Sequence, residues 1–348
     1  MWEKHLMDEK DILSWLKEED PLRLETLWRE ADRIRKETVG DEVHLRGLIE
    51  ISNYCIRHCA YCGINAGNKN LPRYRMTEEE ILTAARLARD LKLGTVVLQS
   101  GEDYGFTKDA MVRIIRRIKE ETSLAVTLSL GERRLDELTC WQEAGADRYF
   151  LRFETSNRAL FERIHPSLPG KISDRVALLY ALKKIGYETG SGIMIGLPGQ
   201  TYSDLARDIL LFRELDLDMI GVGPYIPHPQ TPLAKETGEG YPDQAPNTEL
   251  MALKVVAITR LVCPEANIPS TTALATVSAE QGFFSGLMKG ANVIMPDLTP
   301  GKYRRLYEIY PGKVSVGDDT VGAVNNLKAQ LTRLGRPPGV GPGGRRTR

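Results

Sequence analysis

The stretch VHLRGLIEISNYCIRHCAYCGINAGN, residues 43 to 68, holds a strand and a chemical motif in succession. Val43 to Ile51 is a β-rich run, and directly after it come Cys55, Cys59 and Cys62, spaced Cys-x3-Cys-x2-Cys. A short loop with these spacings can wrap three thiolates around one cluster. Structural zinc would want four closed ligands, and no fourth Cys or His lies at a usual spacing. His58 sits inside the motif, next to a ligand, and is a poor fourth. Unligated burial suits Cys140 in DELTCWQEAG and Cys263 near a helix end, but not three cysteines in one loop. Iron–sulfur clusters generally take four thiolates, so three leave one iron of a 4Fe-4S cube open to another ligand. An open iron points to substrate or cosubstrate chemistry rather than simple electron transfer.

Outward from this stretch, short β-rich runs alternate with longer amphipathic ones, the pattern of βα units and a parallel sheet. Strands are expected at Val43 to Ile51, Thr95 to Gln99, Ala125 to Leu130, Arg148 to Phe153, Thr189 to Ile195, Met219 to Gly223, Asn267 to Thr271 and Asn292 to Met295. Thr77 with Glu80 forms a capping box before ILTAARLARDL, and Ser203 opens DLARDILLFREL. Eight strands followed by helices predict an α/β fold, a closed (β/α)8 TIM barrel with its chemistry on the loops after the strands' C-terminal ends. Apolar positions at helical spacing between residues 8 and 37 predict two helices ahead of it. The expected division is an N-terminal helical extension over 1–40, the barrel over 41–300, a C-terminal segment closing it over 301–334, and a mobile Gly/Pro/Arg tail over 335–348. Residues 226 to 247, IPHPQTPLAKETGEGYPDQAPN, form a Pro/Gly-rich loop readable as an active-site lid or as a surface insertion.

The 348 residues are 42% hydrophobic and 27% charged, which excludes wholesale disorder and a fibrous repeat. Lys plus Arg and Asp plus Glu number 47 each, so no global basic field draws the chain to nucleic acid. No apolar run reaches the roughly 18 residues of a membrane span. The N-terminal MWEKHLMDEKDILSWLKEED lacks the apolar stretch of a signal peptide, and the odd, crowded cysteines make no disulfide framework. Together these predict a cytoplasmic protein.

Cys-x3-Cys-x-aromatic-Cys after a first barrel strand, with Tyr61 as the aromatic, resembles the defining motif of the radical S-adenosylmethionine (SAM) enzymes. The resemblance implies that Cys55, Cys59 and Cys62 hold one 4Fe-4S cluster whose open iron chelates the amino and carboxylate groups of SAM. An electron from an external donor then breaks a sulfonium carbon–sulfur bond, leaving methionine and a 5′-deoxyadenosyl radical. QSGED, residues 99 to 103, corresponds to the family's glycine-rich segment for the SAM amino group, with Gly101 and Glu102 at its centre; taken alone it is merely a turn. In LRFET, residues 151 to 155, the period of two puts Arg152 and Glu154 on one side of a strand. The resemblance assigns Glu154 to the ribose hydroxyls and Arg152 to the substrate cavity, where the bland reading is a surface salt bridge. Arg175 fits the SAM carboxylate, or equally a solvated helix arginine. GSGIMIGLPGQT, residues 190 to 201, resembles the family's adenine-side motif and lacks the Lys-Ser/Thr of a phosphate loop.

Longer strings are more specific. NKNLPRYRM, VVLQSGED, EAGADRYFLRFETSN, DMIGVGPYIPHPQTPLA and YRRLYEIYPGK are among those that resemble, from residue 35 to about 315, the HydE-type maturase family of iron–iron hydrogenases. Biotin synthase and methylornithine synthase share the barrel and trio. Biotin synthase would need a second cluster held partly by cysteines inside strands, and strands 95–99, 125–130 and 189–195 have none. The resemblance implies assembly of the dithiolate-bridged di-iron subcluster, from a cysteine-bound iron carbonyl–cyanide complex delivered by a partner maturase, with radical attack at sulfur. It places this organometallic substrate near Gln99, Ser100, Thr127, Arg152, Met194, Met219, Thr271, Thr272, Tyr307 and Tyr310. One arginine suits an anion, hydroxyls suit cyanide or carboxylate, and Met and Tyr make an apolar wall. Met194 and Met219 suit plain barrel packing as well, and strand alternation forbids Thr271 and Thr272 from both pointing inward. Some family members carry a second cysteine trio after the YPGK string; VSVGDDTVGAVNNLKAQL has none, so no second cluster is expected. The competing functions are an amino-acid rearrangement of the methylornithine-synthase kind and an iron–sulfur scaffold that leaves SAM intact.

Overall fold

The computed structural model describes residues 7–236, 238, 240–278, 282–313 and 319–345. Among the described residues, seven parallel strands form one curled sheet with helices outside it. They are β1 (His44–Ser52), β2 (Thr95–Ser100), β3 (Ala125–Ser129), β4 (Arg148–Phe150), β5 (Glu188–Ile195), β6 (Met219–Pro224) and β7 (Val293–Ile294), ordered β6-β5-β4-β3-β2-β1-β7. β1 is buried along nearly its whole length because both faces are covered. Arg46, Leu48 and Glu50 line the interior, while Leu45, Ile49 and Ile51 join the core. Glu50 lies opposite Gln99, and Gln99 opposite Ser129, so the period of two sets inward side chains of adjacent strands side by side.

The run Asn267 to Thr271, expected as the seventh of eight strands, forms no ladder. Single bridges Met219–Asn267 and Pro269–Val293 link β6 to β7 through it, carried by Ile220 N to Asn267 O at 2.9 Å and Ser270 N to Val293 O at 2.9 Å. Pro269 has no N–H to give. Side chains hold the segment instead. The buried Arg260 guanidinium donates to the carbonyls of Pro264 (2.7 Å) and Ala266 (2.8 Å), and the Asn292 amide bonds both Asn267 and Ile268 at 2.9 Å. β4 is also shorter than expected. Leu151 and Glu154 still donate to Gly190 and Gly192 of β5 at 2.9 and 3.1 Å, but Glu154 has φ +66°, which turns the chain off the strand path.

The Thr77–Glu80 capping box opens the helix Glu78–Asp90. The helix expected to open at Ser203 is capped two residues earlier by Thr201, with Asp204 reciprocating. Helices Glu9–Leu16 and Pro21–Val39 pack outside the barrel on Tyr202–Glu214 and Glu249–Val262. Residues 335–345 of the tail, expected to be mobile, lie across the N-terminal ends of the strands. Arg336 donates to the carbonyls of Asp41 (2.9 Å), Leu287 (2.8 Å) and Ala291 (3.1 Å). Thr95 Oγ1 donates to Pro342 O and Arg46 Nη2 to Gly343 O, both at 2.9 Å. Donors at the strand ends are satisfied by tail carbonyls, which is why a Gly/Pro-rich segment docks there. Among the described residues no helix is long and apolar enough to cross a membrane.

Candidate active site

The three cysteines follow β1 and open into a cavity of about 320 Å³ inside the curled sheet. Every residue that the resemblance assigned to cluster, SAM or substrate lines that cavity: the trio, then Tyr61, Gly101, Glu102, Glu154 and Arg175, then Gln99, Ser100, Thr127, Arg152, Met194, Met219, Thr271, Thr272, Tyr307 and Tyr310.

Two glycines shape the cysteine loop. A Cβ on Gly101 would stand 2.3 Å from Tyr54 O and 2.8 Å from Cys55 Cβ, and one on Gly63 would stand 2.2 Å from Glu308 O. The close approach at Gly101 therefore involves the cysteine loop itself. Leu233, in the 226–247 loop, is buried with Leu160, Ile164, Leu197 and Tyr225, and its N–H donates to Ala60 O at 3.1 Å, so that loop braces the trio.

All three cysteines are free thiols, and Cys55 Sγ accepts backbone N–H bonds from Arg57 and Glu102 at 3.4 Å. Burial pushes the Cys55 thiol up, Cys59 up to about 12 and Cys62 well above its ordinary value. Such sulfurs become thiolates when a cation compensates them. Among the described residues no three His, Cys, Asp or Glu side chains converge on a point the size of one ion. A trio arranged around a cavity, with N–H donors aimed at sulfur, fits a multi-iron cluster.

Behind the trio lies a buried ionic network that the sequence did not reveal. Arg57 sits 3.0 Å from Glu102 and 2.9 Å from Glu132. Glu132 also meets His165 Nε2 at 3.2 Å, Arg175 Nε at 3.1 Å and the Ser173 hydroxyl. Burial alone would raise Glu132, but the His165 hydrogen bond and the Arg175 charge hold it well below the ordinary carboxylate range. Burial, then the Arg175 charge, pulls His165 down to about 4. The Glu102 side chain is committed to Arg57 and to the Glu132 N–H at 3.0 Å, so Glu102 serves the trio through its backbone.

Arg175 is buried at the first turn of helix Arg175–Ile185, with Nη1 2.6 Å from Arg152 O and 4.0 Å from Glu154. It is no solvated helix arginine. Glu154 meets Arg152 Nε at 3.0 Å and Tyr61 OH at 3.4 Å. Deeper in the barrel, Gln99 Nε2 donates to Tyr307 OH at 3.3 Å, and the Thr127 hydroxyl is buried with no hydrogen-bond partner among the described residues. Thr271 and Thr272 both line the cavity, against the alternation argument. Thr271 caps helix Thr272–Val277, accepting from Leu274 N at 3.3 Å, so strand geometry ends there. Glu50 and Lys313, also unforeseen, form a pair on the cavity wall, with Lys313 3.6 Å from Asp297; burial pushes Glu50 up to about 8 despite Lys313. An acidic residue in a strand this apolar was a readable signal for Glu50. Nothing local marked His165 or Glu132.

Residues 49–212 match the radical SAM superfamily. The FeFe hydrogenase maturase subunit HydE of Thermotoga maritima is 47% identical over 322 residues, 92% of this chain and 89% of that one. The 3-methylornithine synthase of Methanosarcina acetivorans is 29% identical over 292 residues, 83% and 79% of the two chains. The crystal structure of methylornithine synthase, PylB, superposes with a TM-score of 0.79 at 24% identity, covering 97% of this chain and 96% of that one, and so shares the fold.

Proposed function

This chain belongs to the HydE family of radical SAM enzymes that mature FeFe hydrogenase, and from that premise we propose how its cavity works. Cys55, Cys59 and Cys62 would hold a single 4Fe-4S cluster. Arg175, Glu154, Tyr61 and the backbone at Gly101 and Glu102 would hold SAM. When bound, and given one electron from an external donor, these groups supply a 5′-deoxyadenosyl radical. The chain's own work is to orient and to exclude water. Arg175, fixed by Glu132, presents a guanidinium to a carboxylate, and Glu154, turned by its left-handed backbone, presents oxygens to ribose hydroxyls.

The substrate we propose is a cysteine-bound iron carbonyl–cyanide complex delivered by a partner maturase and attacked at sulfur. Arg152 would meet its negative charge, with Gln99, Ser100, Thr127, Thr271 and Thr272 as polar contacts and Met194, Met219, Tyr307 and Tyr310 as the wall. We place this work in the cytoplasm, without nucleic-acid or membrane partners. The supporting observation is that trio, SAM-side residues and substrate-side residues share one cavity. In the test, anaerobically reconstituted protein receives reductant, SAM and the iron complex, and hydrogenase maturation is measured beside 5′-deoxyadenosine release. Both are expected. SAM cleavage coupled to an amino acid's rearrangement, without maturation, would overturn the substrate reading.

A further inference from the structure

Cys59 Sγ lies 3.0 Å from Nδ1 of His165, whose side chain is fully buried. The imidazole is held from behind. Its Nε2 is 3.2 Å from Glu132 Oε1, Nη2 of Arg175 lies against the ring at 3.2 Å from Nε2 and 3.4 Å from Nδ1, and the ring packs 5.0 Å from the Phe161 ring. Glu132 Oε1 also accepts from the Ser173 hydroxyl and from Arg175 Nε, which fixes it as the acceptor behind the ring. A thiol at Cys59 can donate to Nδ1. A thiolate bound to iron has no proton to give, and its sulfur needs a donor.

We propose that His165 is a positioning residue of the metal centre: with the cluster in place, its Nδ1–H donates to the Cys59 sulfur while Glu132 at Nε2 and the Arg175 guanidinium against the ring hold the imidazole in place. The proton of the Cys59 thiol, already on the line to Nδ1, stays between sulfur and nitrogen when the sulfur takes up iron, so no other proton has to move and Nε2–H keeps its bond to Glu132. A hydrogen bond to a cluster sulfur stabilises the more negative, reduced state and so makes the cluster easier to reduce. The chain Glu132–Arg175–His165–Cys59 thereby links the SAM carboxylate site to one ligand of the cluster. This inference rests on the reading that the trio holds the cluster.

The test uses reconstituted, cluster-loaded protein without SAM. In wild type labelled with 15N-histidine, pulsed electron paramagnetic resonance of the reduced cluster should show a weak 15N coupling from one imidazole. Potentiometric titration of His165→Phe should show the ratio of reduced to oxidised cluster falling roughly three- to tenfold at fixed potential, a midpoint about 30 to 60 mV more negative. His165→Gln, which keeps an N–H near the sulfur, should recover part of the shift. A reduced wild-type cluster with no histidine coupling would overturn the hydrogen bond alone, whether or not His165→Phe retains its cluster. An unchanged midpoint in an intact His165→Phe cluster would do the same. A wild type that assembles no cluster on the trio would overturn both readings.

Discussion

At the N-terminal ends of the strands, Arg46, Thr95 and Arg336 give hydrogen bonds to backbone carbonyls of the chain itself. At the C-terminal ends, Arg57, Arg175, Glu102 and Glu132 are held by one another. Backbone carbonyls are neutral and fixed, so the first arrangement closes a surface and presents little to a ligand. Arg57, Glu102 and Arg175 line the cavity with Glu132 behind them, and removing one of the four leaves its neighbours buried and uncompensated. The lower end thus serves stability, and the upper end combines stability with chemistry, which is the usual division in such barrels.

The largest effect expected at the upper end is the loss of SAM cleavage when Cys55, Cys59 or Cys62 is replaced by Ala, measured as 5′-deoxyadenosine release. Cys140→Ala and Cys263→Ala, outside the cavity lining, should leave release largely intact. Iron and sulfide analysis of wild type should approach four irons per chain, as for one cluster.

Glu132→Gln should destabilise the fold by about 3–5 kcal/mol near neutral pH, since it strips the counter-charge from Arg57 and Arg175. Glu132 sits below its ordinary 4.5 in the folded chain, so its contribution is present above that pH and is lost as pH falls through the folded value. Denaturation of wild type and variant should therefore differ most at neutral pH and converge in acid. A gap constant down to acid would mean that packing, not charge, holds the network.

Deleting residues 336–348 should lower stability by about 3 kcal/mol, since Arg46 and Thr95 lose their acceptors. SAM affinity of the folded fraction should hardly change, which would separate the two ends experimentally. Next in size, Arg152→Met should keep SAM binding but slow hydrogenase maturation about tenfold or more, the worth of a charge-assisted bond of roughly 1.5–3 kcal/mol. Glu154→Ala should weaken SAM binding itself. Maturation by Arg152→Met at the wild-type rate would move the substrate elsewhere in the cavity. The smallest effect belongs to Arg345→Ala, whose partly exposed pairs with Asp216, Asp218 and Glu265 should be worth at most about 1 kcal/mol by thermal denaturation.

The sequence by itself determined the cysteine loop, the parallel strands from β1 to β6 with ends shifted by a residue or so except in β4, and the Thr77 cap. Each is written in neighbouring residues: a thiolate spacing, an apolar run, a hydroxyl three residues before a glutamate. The cavity's membership was legible too, through strings shared with a known family. Only the tertiary structure decided the rest. Cys59 meets His165 across 106 residues, and Lys313 meets Glu50 across 263. Arg260 and Asn292 replace the ladder that Pro269 cannot make. The cap at Thr271 broke the period of two where the chain turned into a helix, and left-handed Glu154 ended β4 early. The tail, mobile by composition, is docked by Arg336. In each case a buried donor or charge had to find its complement, because leaving it unpaired costs more than any local preference supplies. Which complement lies within reach is set by where distant segments cross, and no residue's neighbours in sequence record that.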